Sequence, residues 1–260
     1  MELKERVAQR LELRPSTRER LVRSLRNYFK AHGRRNAVIG MSGGIDSALT
    51  CALLAQAIGP KHVFALFLPV TEMGKDEVDV REYCKELGVT WKKIDLKPVM
   101  ESFTTALAAS DRLALGNIAS RSRMIVLYNF AREKDALVVG TGNRTELLLG
   151  YFTKHGDGGV DLLPIGTLYK TQVRALAKEI KVHSRILKKV PTAGLWPGQS
   201  DEGEIGATYE QIDLVLCSYI DLRAPLNQIE KSVGKEKADK LIAMARRNSH
   251  KGALPPILKI

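Results

Sequence analysis

The chain has 260 residues, 44% of them hydrophobic, and a formal net charge of +12. That length suits one large domain or two small ones; no apolar run reaches the roughly 18 residues of a membrane span, and the charged start, Glu2-Leu3-Lys4-Glu5-Arg6, lacks a signal-peptide core. Cys51, Cys84 and Cys217 show no CxxC or metal spacing, which argues against a thiolate metal site and suits small buried thiols in a reducing cytoplasm. Lys and Arg are spread over most of the chain rather than gathered in a tail, so the charge fits small anionic ligands as well as nucleic acid.

In chain order, residues 2–13 form a helical pattern that stops before Pro15. Ser16-Thr17-Arg18-Glu19 reads as a capping box opening a second helix to about Ala31, ended by Gly33. Ala37-Val38-Ile39 is a buried strand, Gly40 to Ser47 a glycine turn, and Ala48 to Leu54 a helix. Gly59-Pro60 punctuates the chain before Val63 to Leu68, a strand covered on both faces. Met73-Gly74-Lys75 starts a loop, near 73–80, followed by an acidic helix to Gly88. Val89 to Leu96 is a third strand, Pro98 starts a helix, Gly116-Asn117 opens a long helix to about 133, and Ala136 to Thr141 is a fourth strand.

This alternation predicts an α/β fold: a three-layer, doubly wound parallel sheet with helices on both faces, in a single domain over 1–260. Ligands in such sheets sit at the strand carboxyl ends, where Ser42–Ser47 and Thr141–Glu146 would both emerge. Residues 150–168 are rich in glycine, Thr171 to Ile180 is a short helix, and Val190 to Gly206 is an irregular stretch of the kind that forms lids. The segments 208–218, 225–232 and 234–247 are helical.

The chemistry centres on Gly40-Met41-Ser42-Gly43-Gly44-Ile45-Asp46-Ser47. Adjacent glycines allow close backbone approach. The following N–H groups, the Ser42 and Ser47 hydroxyls and the helix N-terminus form an anion cradle. The Lys of a GxxxxGK[ST] loop is missing. Asp46, an anion within an anion cradle, makes sense as the holder of a hard cation such as Mg²⁺.

Arg121 and Arg123 stand two apart on a helix, so at most one can point into a given site, and both could be solvated. Glu146 follows the fourth strand and is compatible with a metal role or with an ordinary first-turn glutamate. In 150–164, Lys154, Asp157 and Asp161 alternate with glycines at a density that a merely structural loop seldom needs. Asp157 before Gly158 could equally form a turn. Tyr151 or Phe152 could stack on an aromatic ligand or serve the core.

The motifs SGGIDS at 42–47, GNIASRSRM at 116–124, GTGNRTELLLGYFTKHGDGGVDLLPI at 140–165, LYKTQVR at 168–174 and PTAGLWPGQSDE at 191–202, closed by His250-Lys251, occur in one order. Together they resemble the ammonia-dependent NAD synthetases of the N-type ATP pyrophosphatase superfamily. SGGxDS alone is shared with GMP synthetases and tRNA-modifying enzymes, whose thiol chemistry finds no CxxC here. Ser120 departs from the Ala usual before the Arg.

The resemblance implies a C–N ligase that uses ATP, Mg²⁺ and free ammonia to amidate deamido-NAD. It implies a cytoplasmic homodimer, with no nucleic-acid or membrane partner. It places Gly40, Met41, Ser42, Gly43, Gly44, Ile45, Asp46, Ser47, Thr141, Lys170 and Thr192 on ATP, and Asp46 and Glu146 on Mg²⁺. Arg121, Lys154, Asp161, His250 and Lys251 fall on deamido-NAD, and Asp157 on ammonium. The stretches near 73–80 and 190–206 correspond to loops that order over the substrates.

Overall fold

The computed structural model describes residues 2–71, 74–190, 192 and 200–258. Two amino-terminal helices, α1 (Leu3–Leu11) and α2 (Thr17–Ala31), precede β1 (Asn36–Gly40) and α3 (Ile45–Ile58). Then follow β2 (Val63–Phe67), α4 (Gly74–Leu87), β3 (Thr90–Lys93), α5 (Lys97–Leu107), α6 (Arg112–Lys134) and β4 (Ala136–Val139). The carboxyl-terminal part is helical: α7 (Arg144–Leu149), α8 (Lys170–Glu179), α9 (Ser184–Leu187), α10 (Asp201–Ile205), α11 (Tyr209–Leu216), α12 (Leu226–Val233) and α13 (Lys235–Asn248). Among the described residues no helix is long and apolar enough to cross a membrane.

The four strands are parallel, in the order β3-β2-β1-β4. The chain winds outward from β1 through β2 to β3, then returns to place β4 on the other side of β1. The switch point therefore lies between β1 and β4, where their carboxyl ends open a crevice.

Strand periodicity divides the core into layers. Ala37, Ile39, Val63, Ala65, Phe67 and Val139 face one side, against α3 residues such as Leu49 and Leu53. Val38, Leu66 and Val138 face the other, against Phe130 and Ala131 of α6. A further apolar cluster joins Val7 of α1 to Tyr209, Ile212, Leu216, Leu241 and Ile242 of the final helices. The sandwich of helices, sheet and helices is the architecture expected from the alternating pattern.

Several boundaries differ from the sequence reading. Ser16 has φ 63 and makes no side-chain cap. Pro15 and Ser16 instead form a tight turn closed by Thr17 N–H to Arg14 O at 3.1 Å. α4 begins at Gly74, with Asp76 and Glu77 in its first turn, so most of the loop foreseen at 73–80 is helix, favoured by the dipole; Met73 lies outside the described residues. α6 begins at Arg112, because Asp111 caps it by accepting from Ala114 N at 2.8 Å. Gly116 is not its start but a buried position inside it. β3 and β4 are shorter than foreseen, and Ser200 caps α10 within the stretch read as irregular. Pro191 and residues 193–199 of that stretch lie outside the described residues.

Candidate active site

The glycine turn leaves β1 at the switch point. Gly43 takes φ +78, in the left-handed region, and a Cβ there would meet Asp76 Cβ at 3.2 Å. Gly44 then caps α3. Ser47 Oγ donates to Gly44 O at 3.0 Å and accepts from Ser42 N at 3.3 Å. Ser42 Oγ accepts from Gly44 N at 3.2 Å. The two hydroxyls lie 3.2 Å apart. They pre-shape the bend around a helix N-terminus, an arrangement suited to phosphate oxygens.

The opposite wall comes from β4. Asn143 caps α7: its Oδ1 accepts from Glu146 N at 3.0 Å, and its N–H donates to Glu146 Oε2 at 3.1 Å. The same side chain spans the crevice, donating from Nδ2 to Asp46 Oδ1 at 2.9 Å. Asn143 is fully buried.

Lys170, the first residue of α8, closes the cluster from below. Its Nζ donates to Asp46 Oδ2 at 2.5 Å and to Glu146 Oε1 at 3.4 Å. Its side chain is 2% exposed, against 17% for Asp46 and 19% for Glu146. Nζ also lies 5.0 Å from the Tyr209 ring centroid, and Tyr209 donates its hydroxyl to Asp201 Oδ2 at 2.7 Å. Burial pushes the Glu146 carboxyl up to about 8; Lys170 opposes the rise and Asp46 adds to it. Burial works against the Lys170 charge, but Asp46 and Glu146 outweigh it and raise its pKa. Lys170 thus stays cationic between Asp46 and the Glu146 carboxyl.

The donor set fits Mg²⁺. Asp46 and Glu146 are hard oxygen ligands, partly open to the crevice, and a cation already sits between them. Among the described residues no group of three or more His, Cys, Asp or Glu could hold a metal. The remaining ligands would therefore be water and substrate phosphate oxygens, which Mg²⁺ prefers to an all-protein cage.

Of the other expected residues, Arg121, Lys154, Asp157, His250 and Lys251 form a second group around the 150–157 turn. Arg121 is exposed and donates from Nε to Lys154 O at 3.3 Å. Lys154 Nζ donates to His250 O at 3.2 Å. Lys251 Nζ donates to Gly150 O at 2.8 Å and Phe152 O at 3.1 Å. Arg123, two positions on, donates from Nε to Leu68 O at 3.1 Å just past the end of β2; burial lowers its pKa, and the nearby Asp157 carboxylate opposes that. Asp157 Oδ1 accepts from Ser120 Oγ at 2.8 Å and from Thr153 N at 2.9 Å. Ser120, the departure noted above, is therefore a partner of Asp157. Asp161 is fastened beside β4: Oδ2 accepts from Val138 N at 2.7 Å and Oδ1 from the Tyr128 hydroxyl at 3.1 Å. Thr141 and Thr192 are half-buried.

The sequence reading holds Asn143, Thr145 and Asp201 only inside motifs, with no role of their own, and leaves out Tyr209 and Asp213. The Asn-x-x-Glu spacing of a capping box was the available signal for Asn143. The others are joined only by tertiary contacts.

Comparison with known proteins places this geometry in a family context. The family model described as NAD synthase matches residues 17–255. The chain is 46% identical over 242 residues to an NH(3)-dependent NAD(+) synthetase of Thermoplasma acidophilum, covering 93% of this chain and 96% of that one. Among solved structures it is similar to an NMN synthetase from Francisella tularensis, with TM-score 0.83, 33% identity and coverage of 94% and 97% of the two chains. It is also similar to an NH3-dependent NAD synthetase from Campylobacter jejuni, with TM-score 0.80, 30% identity and coverage of 93% and 97%.

Proposed function

Because the chain belongs to the NAD synthase family, we propose that it amidates deamido-NAD with free ammonia, consuming ATP and releasing NAD, AMP and pyrophosphate through an acyl-adenylate. The observation that carries this reading is the Asp46–Lys170–Glu146 cluster beside the glycine turn, at the crevice where β1 and β4 diverge.

A nicotinate carboxylate is a poor acyl donor. Its oxygen attacks the α-phosphorus of ATP and pyrophosphate leaves. Ammonia then attacks the activated carbonyl, and AMP leaves with the carboxylate oxygen. No protein nucleophile is required, so positioning and charge neutralisation dominate. The Ser42–Ser47 bend grips the phosphates, and Lys170 offsets the charge that develops on pyrophosphate. Mg²⁺, when bound, would neutralise phosphate charge, held by Asp46 and Glu146. Thr141 and Thr192 flank the nucleotide. The basic lip of Arg121, Lys154, His250 and Lys251 receives the dinucleotide together with Asp161, and Asp157 holds the ammonium that becomes the nucleophile. The enzyme works as a cytoplasmic homodimer of single-domain subunits.

The test is an assay with ATP, Mg²⁺, ammonium and deamido-NAD that follows NAD and AMP together. Stoichiometric NAD and AMP supports the reading; AMP release on other acceptors with no NAD overturns it. The likeness to the Francisella NMN synthetase favours one second reading, in which the acid mononucleotide is the substrate. The ratio of kcat/KM for the dinucleotide over the mononucleotide separates the two. A ratio above one assigns the dinucleotide.

A further inference from the structure

One buried carboxylate has no part in the chemistry above. Asp213 on α11 is fully buried. Its Oδ1 accepts from Thr145 Oγ1 at 2.5 Å, and its Oδ2 accepts from the backbone N–H of Thr171 at 2.8 Å. Thr145 Oγ1 in turn accepts from the backbone N–H of Lys170 at 2.9 Å. Thr145 is the neighbour of Glu146, and Thr171 the neighbour of Lys170. A single carboxylate thus ties the first turn of α7 to the first turn of α8, each at the residue beside a charged member of the site.

The arrangement is costly to maintain. A buried charge is unfavourable unless charge-assisted hydrogen bonds satisfy it. Burial pushes the Asp213 carboxyl up, while the bonds from Thr145 and Thr171 pull it down. A second tie lies nearby. Asp221 receives Arg144 from α7, and the Tyr169 hydroxyl at 3.1 Å from the residue capping α8. Both aspartates come from one continuous stretch, because α11 runs on into a π-helical turn, Cys217–Asp221. Eight residues of ideal helix would place them about 80° apart around the axis; the wider π turn absorbs about one residue and brings both toward α7 and α8.

We propose that Asp213 is a positioning residue: through Thr145 and the Thr171 amide it fixes α7 and α8 relative to each other, and so sets Lys170 Nζ between Asp46 and Glu146. Its activity readout rests on the amidation reading; its binding readout does not. A separation of 3.4 Å between Lys170 Nζ and Glu146 leaves little tolerance, since small displacements of a catalytic group cost large factors in rate.

The experiment compares Asp213→Asn, Thr145→Val and the conservative Thr145→Ser with the wild type, each normalised to its folded fraction by circular dichroism. The measurements are kcat, KM for the acid dinucleotide, the Mg²⁺ concentration for half-maximal rate, and calorimetric binding of ATP with Mg²⁺. Asp213→Asn and Thr145→Val are expected to lower kcat at least tenfold. They should also raise the Mg²⁺ requirement and weaken Mg²⁺-dependent ATP binding at least fivefold, with KM for the dinucleotide within twofold. Thr145→Ser should restore all of these to within threefold of wild type. Folded variants with wild-type kcat and Mg²⁺ dependence overturn the proposal. So does a loss that only tracks the folded fraction, including the absence of any folded protein. If the wild type itself makes no NAD, the amidation reading fails, while the ATP-binding comparison still decides the role of Asp213.

Discussion

Asn143 donates its amide to Asp46 across the switch point at 2.9 Å, so one side chain links the helix after β1 to the helix after β4. It also caps α7 through Glu146. Replacing it with alanine removes the cap, a loss of about 1 kcal/mol, and frees Asp46 on one side. The Tm of Asn143→Ala should fall by about 2–4 °C for each kcal/mol lost in a domain of this size, and turnover should fall at least tenfold. Asn143→Asp keeps a capping oxygen but sets a third carboxylate against Asp46 in a buried position; it should melt lower than Asn143→Ala and be the less active of the two. Paired melting curves and initial rates check both expectations.

Lys170 is the only cation bonded to both Asp46 and Glu146 among the described residues. In Lys170→Met, two partly buried carboxylates face each other without it. Breaking such a buried arrangement by removing one partner costs about 3–5 kcal/mol, and turnover should drop by a factor on the order of 10²–10³. Mg²⁺ should recover part of the lost stability, giving a larger rise in Tm on adding Mg²⁺ than the wild type shows. An equal rise in both proteins would count against a shared cation position.

The Glu146 carboxyl is held up to about 8 by burial, with Lys170 opposing and Asp46 assisting. The folded state therefore favours the protonated form more than the unfolded state does. That contribution is fully present below the ordinary glutamate pKa near 4.5 and disappears as pH rises through about 8. Metal-free wild type should lose stability over that window, and Glu146→Gln should not. At pH 8 the variant should melt higher than wild type in chelator yet lack Mg²⁺-dependent activity. Melting midpoints from pH 5 to pH 8.5, with and without Mg²⁺, provide the check.

Gly43 combines φ +78 with a close neighbour, Asp76, whose carboxylate is paired with Lys189 at 2.6 Å. An alanine there meets the left-handed penalty of about 1–2 kcal/mol and a methyl 3.2 Å from Asp76 Cβ. Gly43→Ala should raise KM for ATP at least fivefold and leave KM for ammonium within twofold, as steady-state kinetics would show. A rise shared by both substrates would place the damage outside the phosphate bend.

The sheet was readable because β1, β2 and β4 are short apolar runs separated by helix-length segments, a pattern with few alternatives. The glycine bend was readable because Ser42 to Ser47 carry their chemistry within six consecutive positions. Helix starts were read less well. Gly116 drew the boundary of α6 to itself, although Asp111 is the cap, and Ser16 presented a capping pattern that the turn after Pro15 prevents. Asp213 and Tyr209 were invisible for a different reason. An aspartate and a tyrosine on a carboxyl-terminal helix carry no local mark, and they reach Thr145 and Lys170 only after the last helices pack. Asp157 shows the opposite case: its glycine-rich setting advertised it, and it forms a pinned turn with Ser120 and Thr153.

The π-helical turn at Cys217–Asp221 has a consequence for how this protein can diverge. Because the wider turn already absorbs one residue, losing one there would leave the register downstream nearly unchanged, whereas adding one between Asp213 and the turn would swing everything beyond it by about 100° and lengthen it by about 1.5 Å. The reach of Asp221 to Arg144 and Tyr169 would be broken even though every side chain survived. A one-residue deletion within the turn should be accepted far more readily than an insertion in α11, so a catalogue of viable length changes would be lopsided along this segment.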